Sequence, residues 1–118
     1  MEQRLRPSER IRRRTEFQRT YEKGVRVAGR FGTLFLIPNQ QTFGRLGIAA
    51  TRKLGGAVQR NRAKRLLREV FRRNKLAPGF DIVIVARRDL LHASLSVLEL
   101  EYRKLVDRAR RTLAHQGL

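Results

Sequence analysis

The sequence predicts a single α+β domain in which helices pack against a β-sheet. The chain has 118 residues, of which 41% are hydrophobic, so it can form one core of modest size. Apolar residues recur at helical spacing in three segments, and largely apolar runs bounded by turn residues lie between them. We therefore expect the order α-β-β-β-α-β-α in a two-layer sandwich, with helices on one side of the sheet and the other face partly open. The domain spans residues 1–118, and its polar, basic residues 1–14 are expected to be flexible.

The first helix is predicted over residues 15–23. Thr15 is a suitable N-cap residue, and Gly24 suits the left-handed position that ends many helices. Phe17 and Tyr21 are four residues apart, so they share one face of the helix. The pair either fills the core or lines a cleft in which nucleotide bases stack on the aromatic rings.

Three strands can be located from their apolar pattern. Residues 31–37 are largely apolar on both faces, and Pro38 and Asn39 end this strand. Residues 43–51 form the next strand. Phe80 to Ala86 forms the last one, and its apolar run is typical of a strand buried on both faces. One face of the strand over 43–51 carries small side chains and one cation, which leaves room for a polar ligand or for a closely packed helix: Arg45, Gly47, Ala49 and Thr51.

The last helix is predicted from Ser94 to His115. Ser94 or Ser96 can cap its N-terminus. Its apolar residues fall near one stripe, so we expect it mainly to cover the core. These residues are Leu98, Tyr102, Leu105, Ala109 and Leu113.

A strongly basic stretch, Arg52 to Lys75, contains ten Lys or Arg residues and one acid, Glu69. After the flexible Gly55-Gly56 turn, it predicts a helix from about Val58 to Asn74. The apolar side of this helix carries Ala63, Leu66, Leu67 and Val70. The opposite side carries Asn61, Lys64, Arg65, Arg68 and Arg72.

The charge of the chain indicates a polyanionic partner. The formal net charge is +18 and the sequence pI is about 11.9. A charged helix face is often simply solvated, but such faces usually mix acids with bases, and this one has almost no acid. Arginine predominates over lysine, which favours bidentate phosphate contacts. The backbone of a nucleic acid is therefore the expected ligand.

The sequence offers no catalytic or metal-binding constellation of its own. There is no cysteine, which excludes disulfides and thiol chemistry and agrees with a reducing cytosol. We expect no signal peptide and no membrane-spanning segment. Asp81 and Asp89 bracket a strand, and Glu99 and Glu101 lie on different faces of a helix. His92 and His115 do not have the spacing of metal ligands.

Three groups of residues together resemble the protein subunit of bacterial ribonuclease P. The first group is Lys53-x-Gly55-x-Ala57-Val58 followed by Arg60-Asn61-Arg62, Lys64-Arg65 and Arg68. The second is Glu16-Phe17-Gln18-x-x-Tyr21-x-x-Gly24, then Arg30 and Phe35. The third is Arg45-x-Gly47. Their order and spacing match the family over nearly the whole chain, whereas Arg-Asn-Arg alone would be weak evidence.

The resemblance implies a fold and a function. It implies a left-handed βαβ crossover that carries the basic helix, and one RNA-binding domain. The RNA subunit would hydrolyse precursor tRNA with Mg²⁺ ions that it holds mainly by itself, with no cofactor intrinsic to the protein. The protein would bind the catalytic RNA, one protein per RNA, and the 5′ leader of precursor tRNA, in the cytoplasm.

The resemblance also implies two sets of site residues and no catalytic or metal-binding residue on this chain. The set expected to bind the catalytic RNA is Arg60, Asn61, Arg62, Lys64, Arg65 and Arg68. The set expected to bind the leader is Phe17, Tyr21 and Phe35, with Lys53, Arg52 and Arg45 for its phosphates. Asn61 has a second interpretation, a local hydrogen bond at the start of the helix.

Three other functions remain open at this point. A ribosomal-type RNA-binding protein would be equally basic and would have no role in cleavage. A DNA-binding helix module would need a second helix close to the basic one, and the β-rich middle of the chain opposes it. A nuclease that acts alone would cleave RNA without any RNA subunit.

Overall fold

The computed structural model describes residues 5–116, which form three helices and four strands. This order confirms the predicted α-β-β-β-α-β-α arrangement. Short 3-10 helices lie at Pro7–Glu9, Arg52–Leu54 and Arg88–His92. The main elements are α1 (Arg14–Lys23), β1 (Val25–Ala28), β2 (Gly32–Pro38), β3 (Arg45–Ala49), α2 (Ala57–Arg73), β4 (Phe80–Ala86) and α3 (Leu95–Gln116).

The four strands form one sheet in the order β1-β2-β4-β3. β4, the last strand in the chain, pairs antiparallel with β2 and parallel with β3, so it lies in the interior of the sheet. Its interior position explains the apolar pattern on both of its faces. Val83 of β4 pairs with Phe35 of β2 on one side and with Gly47 of β3 on the other. These three residues therefore form one transverse row on one face of the sheet.

The main core lies between the sheet and the helices α2 and α3. Leu34, Leu36 and Ile82 are fully buried on this face of the sheet. The residues that α2 and α3 contribute confirm the predicted apolar stripes: Ala63, Leu67, Val70 and Phe71 from α2, and Leu98, Tyr102, Leu105, Val106 and Ala109 from α3.

The connection from β3 through α2 to β4 is left-handed. On an ascending strand of L-residues, a residue whose side chain faces the viewer directs its C=O to the viewer's right. Leu46 of β3 faces the core under α2, and its C=O accepts a hydrogen bond from the Ile11 N–H (2.9 Å) at the edge of β3 away from β4. Seen from α2, β4 therefore lies to the left of β3. This confirms the expected left-handed crossover, an exception to the general rule.

Helix α1 lies on the opposite face of the sheet from α2 and α3, so the expectation that all helices share one side is wrong. The row of Phe35, Val83 and Gly47 faces α1, as shown by the contact of Tyr21 with Phe35 and of Phe17 with Gly47. Val83 is fully buried there. A second apolar face on the inner strands therefore requires a cover, and α1 supplies it.

Two predicted helix-end roles are wrong. Helix α1 begins at Arg14, so Thr15 lies inside it and Arg13 takes the N-cap position. Gly24 has φ −80°, which is not left-handed. It is needed for close approach instead, because a Cβ there would meet the C=O oxygen of Thr20 at 2.5 Å and that of Leu36 at 3.0 Å. At α3, the Val97 N–H donates to Ser94 Oγ (3.3 Å), as the predicted cap requires.

Most predicted ranges agree with the structure to within one or two residues. Strand β4 is found where it was predicted, whereas β3 is shorter than the predicted 43–51. Strand β1 was counted in the predicted order but not located, because only Val25 and Val27 of its four residues are buried. A pattern of two apolar residues is too short to identify a strand.

Part of the segment that was expected to be flexible packs on the domain. Leu5 and Ile11 are both only 4% exposed, and Arg10 forms a parallel bridge with Leu46 at the free edge of β3. Residues 1–4 lie outside the described residues. Among residues 5–116, no helix is both long and apolar enough to cross a membrane.

Candidate nucleic-acid interface

Three aromatic side chains meet on the α1 side of the sheet and form what we call the aromatic cleft: Phe17, Tyr21 and Phe35. The ring centroids of Phe17 and Tyr21 are 6.3 Å apart, and those of Tyr21 and Phe35 are 5.0 Å apart with the rings edge to face. Helical spacing brings the first two together, and the position of α1 over β2 adds the third. Tyr21 is 37% exposed, which leaves ring surface for a ligand to stack on.

Small residues of β3 form the sheet surface beside the aromatic cleft. Gly47 is buried, and its missing side chain lets the Phe17 ring approach the strand. Ala49 follows on the same face and is half-buried. Of the two interpretations given for these small residues, close packing of a helix therefore applies at Gly47.

Arg52 and Lys53 are exposed on the short 3-10 helix that follows β3. Leu54, only 2% exposed, anchors this turn in the core. The next residue, Gly55, has φ +136°, a conformation that favours glycine. The two cations are thus presented on a fixed turn between β3 and the basic helix.

The basic face of α2 divides into an outer and an inner part. Asn61, Arg62 and Arg65 are exposed. Arg60 is half-buried and donates through Nη1 to the C=O of Gly55 (2.9 Å), so part of its guanidinium group holds the preceding loop. Lys64 and Arg68 are also half-buried and turn toward β3.

Lys64 and Arg68 line a groove of about 320 Å³, here called the cationic groove. Arg10 and Arg12 of the N-terminal segment line its other side. Its apolar surface comes from Ile11, Phe17, Leu46 and Ile48. Phe17 therefore lines both the aromatic cleft and the cationic groove, and the two surfaces are continuous at this ring.

The cations of this groove repel one another. The pKa of Arg68 is lowered, first by burial and then by the charges of Arg10 and Arg12. The Nε of Arg10 is buried and has no hydrogen-bond partner among residues 5–116. Binding of an anion in the groove would relieve this repulsion.

Sequence reasoning missed Arg10 and Arg12 because it assigned them to a flexible segment. The sequence feature that indicates their position is the alternation Arg10-Ile11-Arg12. On an extended chain this pattern buries the apolar residue and directs both cations to the other face. A single apolar residue between cations is, however, too short a pattern to identify a strand by itself.

Arg45 differs from the other predicted leader-binding cations, because carboxylates already engage its charge. Its Nε and Nη2 donate to the two carboxylate oxygens of Asp81 at 2.8 and 2.6 Å, and its Nη1 donates to Glu16 at 3.1 Å. The bonds to Asp81 are the largest cause of a raised pKa of Arg45, and Glu16 adds to it. Two carboxylates therefore already engage the guanidinium group that was expected to bind a leader phosphate.

Other acids also pair with bases rather than with one another. Glu9 pairs with Lys75, Glu69 pairs with Arg72, and Glu99 lies near Arg73. Within residues 5–116, no group of three or more His, Asp or Glu side chains could hold a metal ion.

These features define a class: a basic α+β protein with a left-handed crossover, a cationic helix and an adjoining aromatic cleft. The family model described as Ribonuclease P matches residues 5–110 of the chain. The chain belongs to the ribonuclease P protein family. Membership places it in a tRNA-processing endoribonuclease complex together with the RNA of ribonuclease P.

Individual proteins agree with this assignment in sequence and in structure. The ribonuclease P protein component of Dehalococcoides mccartyi is 35% identical over 105 residues, which cover 89% of this chain and 88% of that one. The RNase P protein of Staphylococcus aureus superposes with a TM-score of 0.76 at 33% identity, covering 86% of this chain and 94% of that one. The RNase P protein of Thermotoga maritima gives a TM-score of 0.76 at 33% identity, covering 85% and 96%.

Proposed function

We propose that this protein binds the catalytic RNA of ribonuclease P and the 5′ leader of precursor tRNA, and so assists removal of the leader. The exposed outer part of α2 binds the catalytic RNA through Arg62, Arg65 and Asn61. The half-buried Arg60, Lys64 and Arg68 belong to the same contact, and the last two reach the cationic groove. One protein joins one RNA, and the complex acts in the cytoplasm.

The leader lies in the aromatic cleft in this proposal. Its bases stack on Tyr21, Phe17 and Phe35, and Lys53 and Arg52 bind its phosphates. Stacking on aromatic rings tolerates many sequences and is worth about 1–3 kcal/mol per base. Such contacts suit a protein that must accept the leaders of many different tRNA precursors.

The observation that carries the proposal is the position of Phe17, which lines the aromatic cleft and the cationic groove at once. A single strand that stacks in the cleft lies beside the cationic groove, where Lys64 and Arg68 belong to the contact with the catalytic RNA. The leader and the catalytic RNA then meet on one protein surface. A merely solvated basic helix would not require an aromatic cleft beside it.

Cleavage itself is assigned to the RNA. Within residues 5–116, no group of three or more acids or histidines could hold a metal ion, and Asp81 and Glu69 pair with arginines. Mg²⁺ bound mainly to the RNA subunit supplies the hydrolytic chemistry. The protein contributes binding and neutralises phosphate charge, which lowers the Mg²⁺ concentration that the RNA needs.

Reconstitution tests the proposal. The catalytic RNA from the same source is assayed at low Mg²⁺ with and without the protein, on precursor tRNA with a full leader and on one with a single leader nucleotide. We expect strong stimulation that is larger for the full leader, and no cleavage by the protein alone. Tight RNA binding without stimulation would instead indicate a ribosomal-type RNA-binding protein, and cleavage without RNA would indicate a nuclease that acts alone.

A further inference from the structure

Arg45 links three elements that surround the aromatic cleft. It lies on β3, and its guanidinium group bonds to Asp81 on β4 and to Glu16 on α1. The two bonds to Asp81 are parallel and bidentate, the geometry that fixes a guanidinium plane most firmly. The remaining arm, Nη1, reaches Glu16 at 3.1 Å.

The sheet side of this link is rigid. The Asp81 side chain is only 3% exposed. Asn39 Nδ2 donates to Asp81 Oδ1 (3.0 Å) and to the Phe43 C=O (3.1 Å), and the Asn39 N–H donates to the Gly79 C=O (2.9 Å). Asp81 is therefore held by Asn39 as well as by Arg45, and its carboxylate fixes the plane of the Arg45 guanidinium group.

The α1 side of the link is adjacent to the aromatic residues. Glu16 directly precedes Phe17, and its backbone C=O accepts a hydrogen bond from the hydroxyl of the buried Thr20 (2.8 Å). Helix α1 has only ten residues, too few to be stable on its own, so its position depends on such tertiary contacts. The Glu16–Arg45 hydrogen bond is one of the tertiary contacts that hold α1 in place, and it is polar.

We propose that Arg45 is a positioning residue for leader binding: through Glu16 it fixes α1 over the sheet and so sets the arrangement of Phe17 and Tyr21 against Phe35. This inference rests on the proposed function of the aromatic cleft. It replaces the expected phosphate contact of Arg45, because Asp81 and Glu16 already engage its guanidinium group. Arg45 thus supports leader binding without contacting the leader.

The proposal is tested by whether leader binding becomes tighter or weaker when a negative charge is removed from α1. Glu16→Gln is compared with Glu22→Gln, which removes an exposed acid from the same helix. Both variants make the protein more positive, so electrostatics alone predicts equal or tighter binding of the leader in both. If Arg45 positions α1, Glu16→Gln instead weakens binding of leader-bearing precursor tRNA to the reconstituted complex by about three- to tenfold.

Three further readouts exclude a general loss of structure. With Glu16→Gln, binding of tRNA without a leader and assembly with the catalytic RNA stay as in the wild type. In the free protein, the NMR shifts of the Tyr21 ring, which depend on the Phe35 ring 5.0 Å away, change in Glu16→Gln and not in Glu22→Gln. In the double variant with Arg45→Lys, the leader-specific losses are not additive, because both changes break one link.

The outcomes separate this inference from the proposed function. The role of Arg45 would be overturned if Glu16→Gln bound the leader as tightly as Glu22→Gln does, or if the losses in the double variant were fully additive. The proposed leader site would still stand in that case, provided that Tyr21→Ala weakens leader binding. If Tyr21→Ala has no effect either, the aromatic cleft is not the leader site, and the proposed site and the role of Arg45 both fail.

Discussion

The ring of Phe17 lies against the backbone of Gly47. A Cβ added to Gly47 would meet Phe17 Cζ at 2.9 Å and Ile11 Cβ at 3.0 Å, both closer than ordinary contact. The Ile11 main chain is held at the edge of β3 by its bond to Leu46, so the N-terminal segment has little freedom to yield. The Phe17 ring would have to move, and this ring is shared by the aromatic cleft and the cationic groove.

Gly47→Ala is therefore expected to disturb both stability and leader binding. Overpacking of this kind costs about 1–3 kcal/mol. Urea unfolding measures the stability, and binding of precursor tRNA with and without a leader measures the cleft. Gly56→Ala is the control for leader binding, because a Cβ there would meet only Gln59 Oε1 at 3.3 Å, on a flexible side chain. It is not a control for stability, because Gly56 is the N-cap residue of α2 and Ala is disfavoured there. Equal effects of the two substitutions on leader binding would show that the Phe17–Gly47 contact is not important for the cleft.

Tyr21→Ala is expected to weaken leader binding by about 1–3 kcal/mol, the value of one stacked base. Tyr21→Phe keeps the ring and is expected to bind the leader almost as the wild type does. Because Tyr21 is 37% exposed, neither change should unfold the protein. Titration of leader-bearing and leaderless precursor tRNA against the reconstituted complex measures the difference. Equal weakening by both variants would mean that the hydroxyl, and not the ring, makes the contact.

Arg65→Ala is expected to weaken assembly with the catalytic RNA and to lower the salt slope of binding by about one. Arg65 is exposed on α2, so its loss removes a phosphate contact without opening the core. Filter binding over a range of salt concentrations measures the slope. Arg108→Ala, an exposed arginine of α3, is the control and should leave the slope unchanged. An unchanged slope for Arg65→Ala would remove Arg65 from the contact surface.

Tyr102→Phe is expected to leave stability unchanged or to increase it by up to about 1 kcal/mol. Tyr102 is 4% exposed, and its hydroxyl finds no hydrogen-bond partner among residues 5–116. Burial also raises the pKa of this hydroxyl above its ordinary value. Urea unfolding measures the change, with Tyr21→Phe as an exposed control. A clear loss of stability would show that the Tyr102 hydroxyl is hydrogen-bonded in solution.

Local patterns in the sequence predicted much of the fold. The apolar stripes of α2 and α3 lie in the core, and β4 has the predicted range because a strand buried on both faces has a continuous apolar run. The aromatic pair Phe17 and Tyr21 shares a face because four residues make about one helical turn. The order and spacing of motifs were enough to identify the family.

The tertiary structure alone decided which surfaces these elements build. Periodicity shows that α1 has an apolar side, but not that this side covers the second face of the sheet. It also does not show that Arg10 and Arg12 meet Lys64 and Arg68, since that contact requires the N-terminal segment to pair with the edge of β3.

Arg45 is the clearest example of the difference between what the sequence determines and what only the tertiary structure decides. The sequence determines that Arg45 lies on a strand face among small residues and that the chain carries a large positive charge. Its partners Glu16 and Asp81 are 29 and 36 residues away. Only closure of the sheet, with β4 between β2 and β3, brings these charges together. The physical reason is that periodicity is a property of neighbouring residues, whereas charge pairing and packing depend on contacts that the whole chain must fold to make.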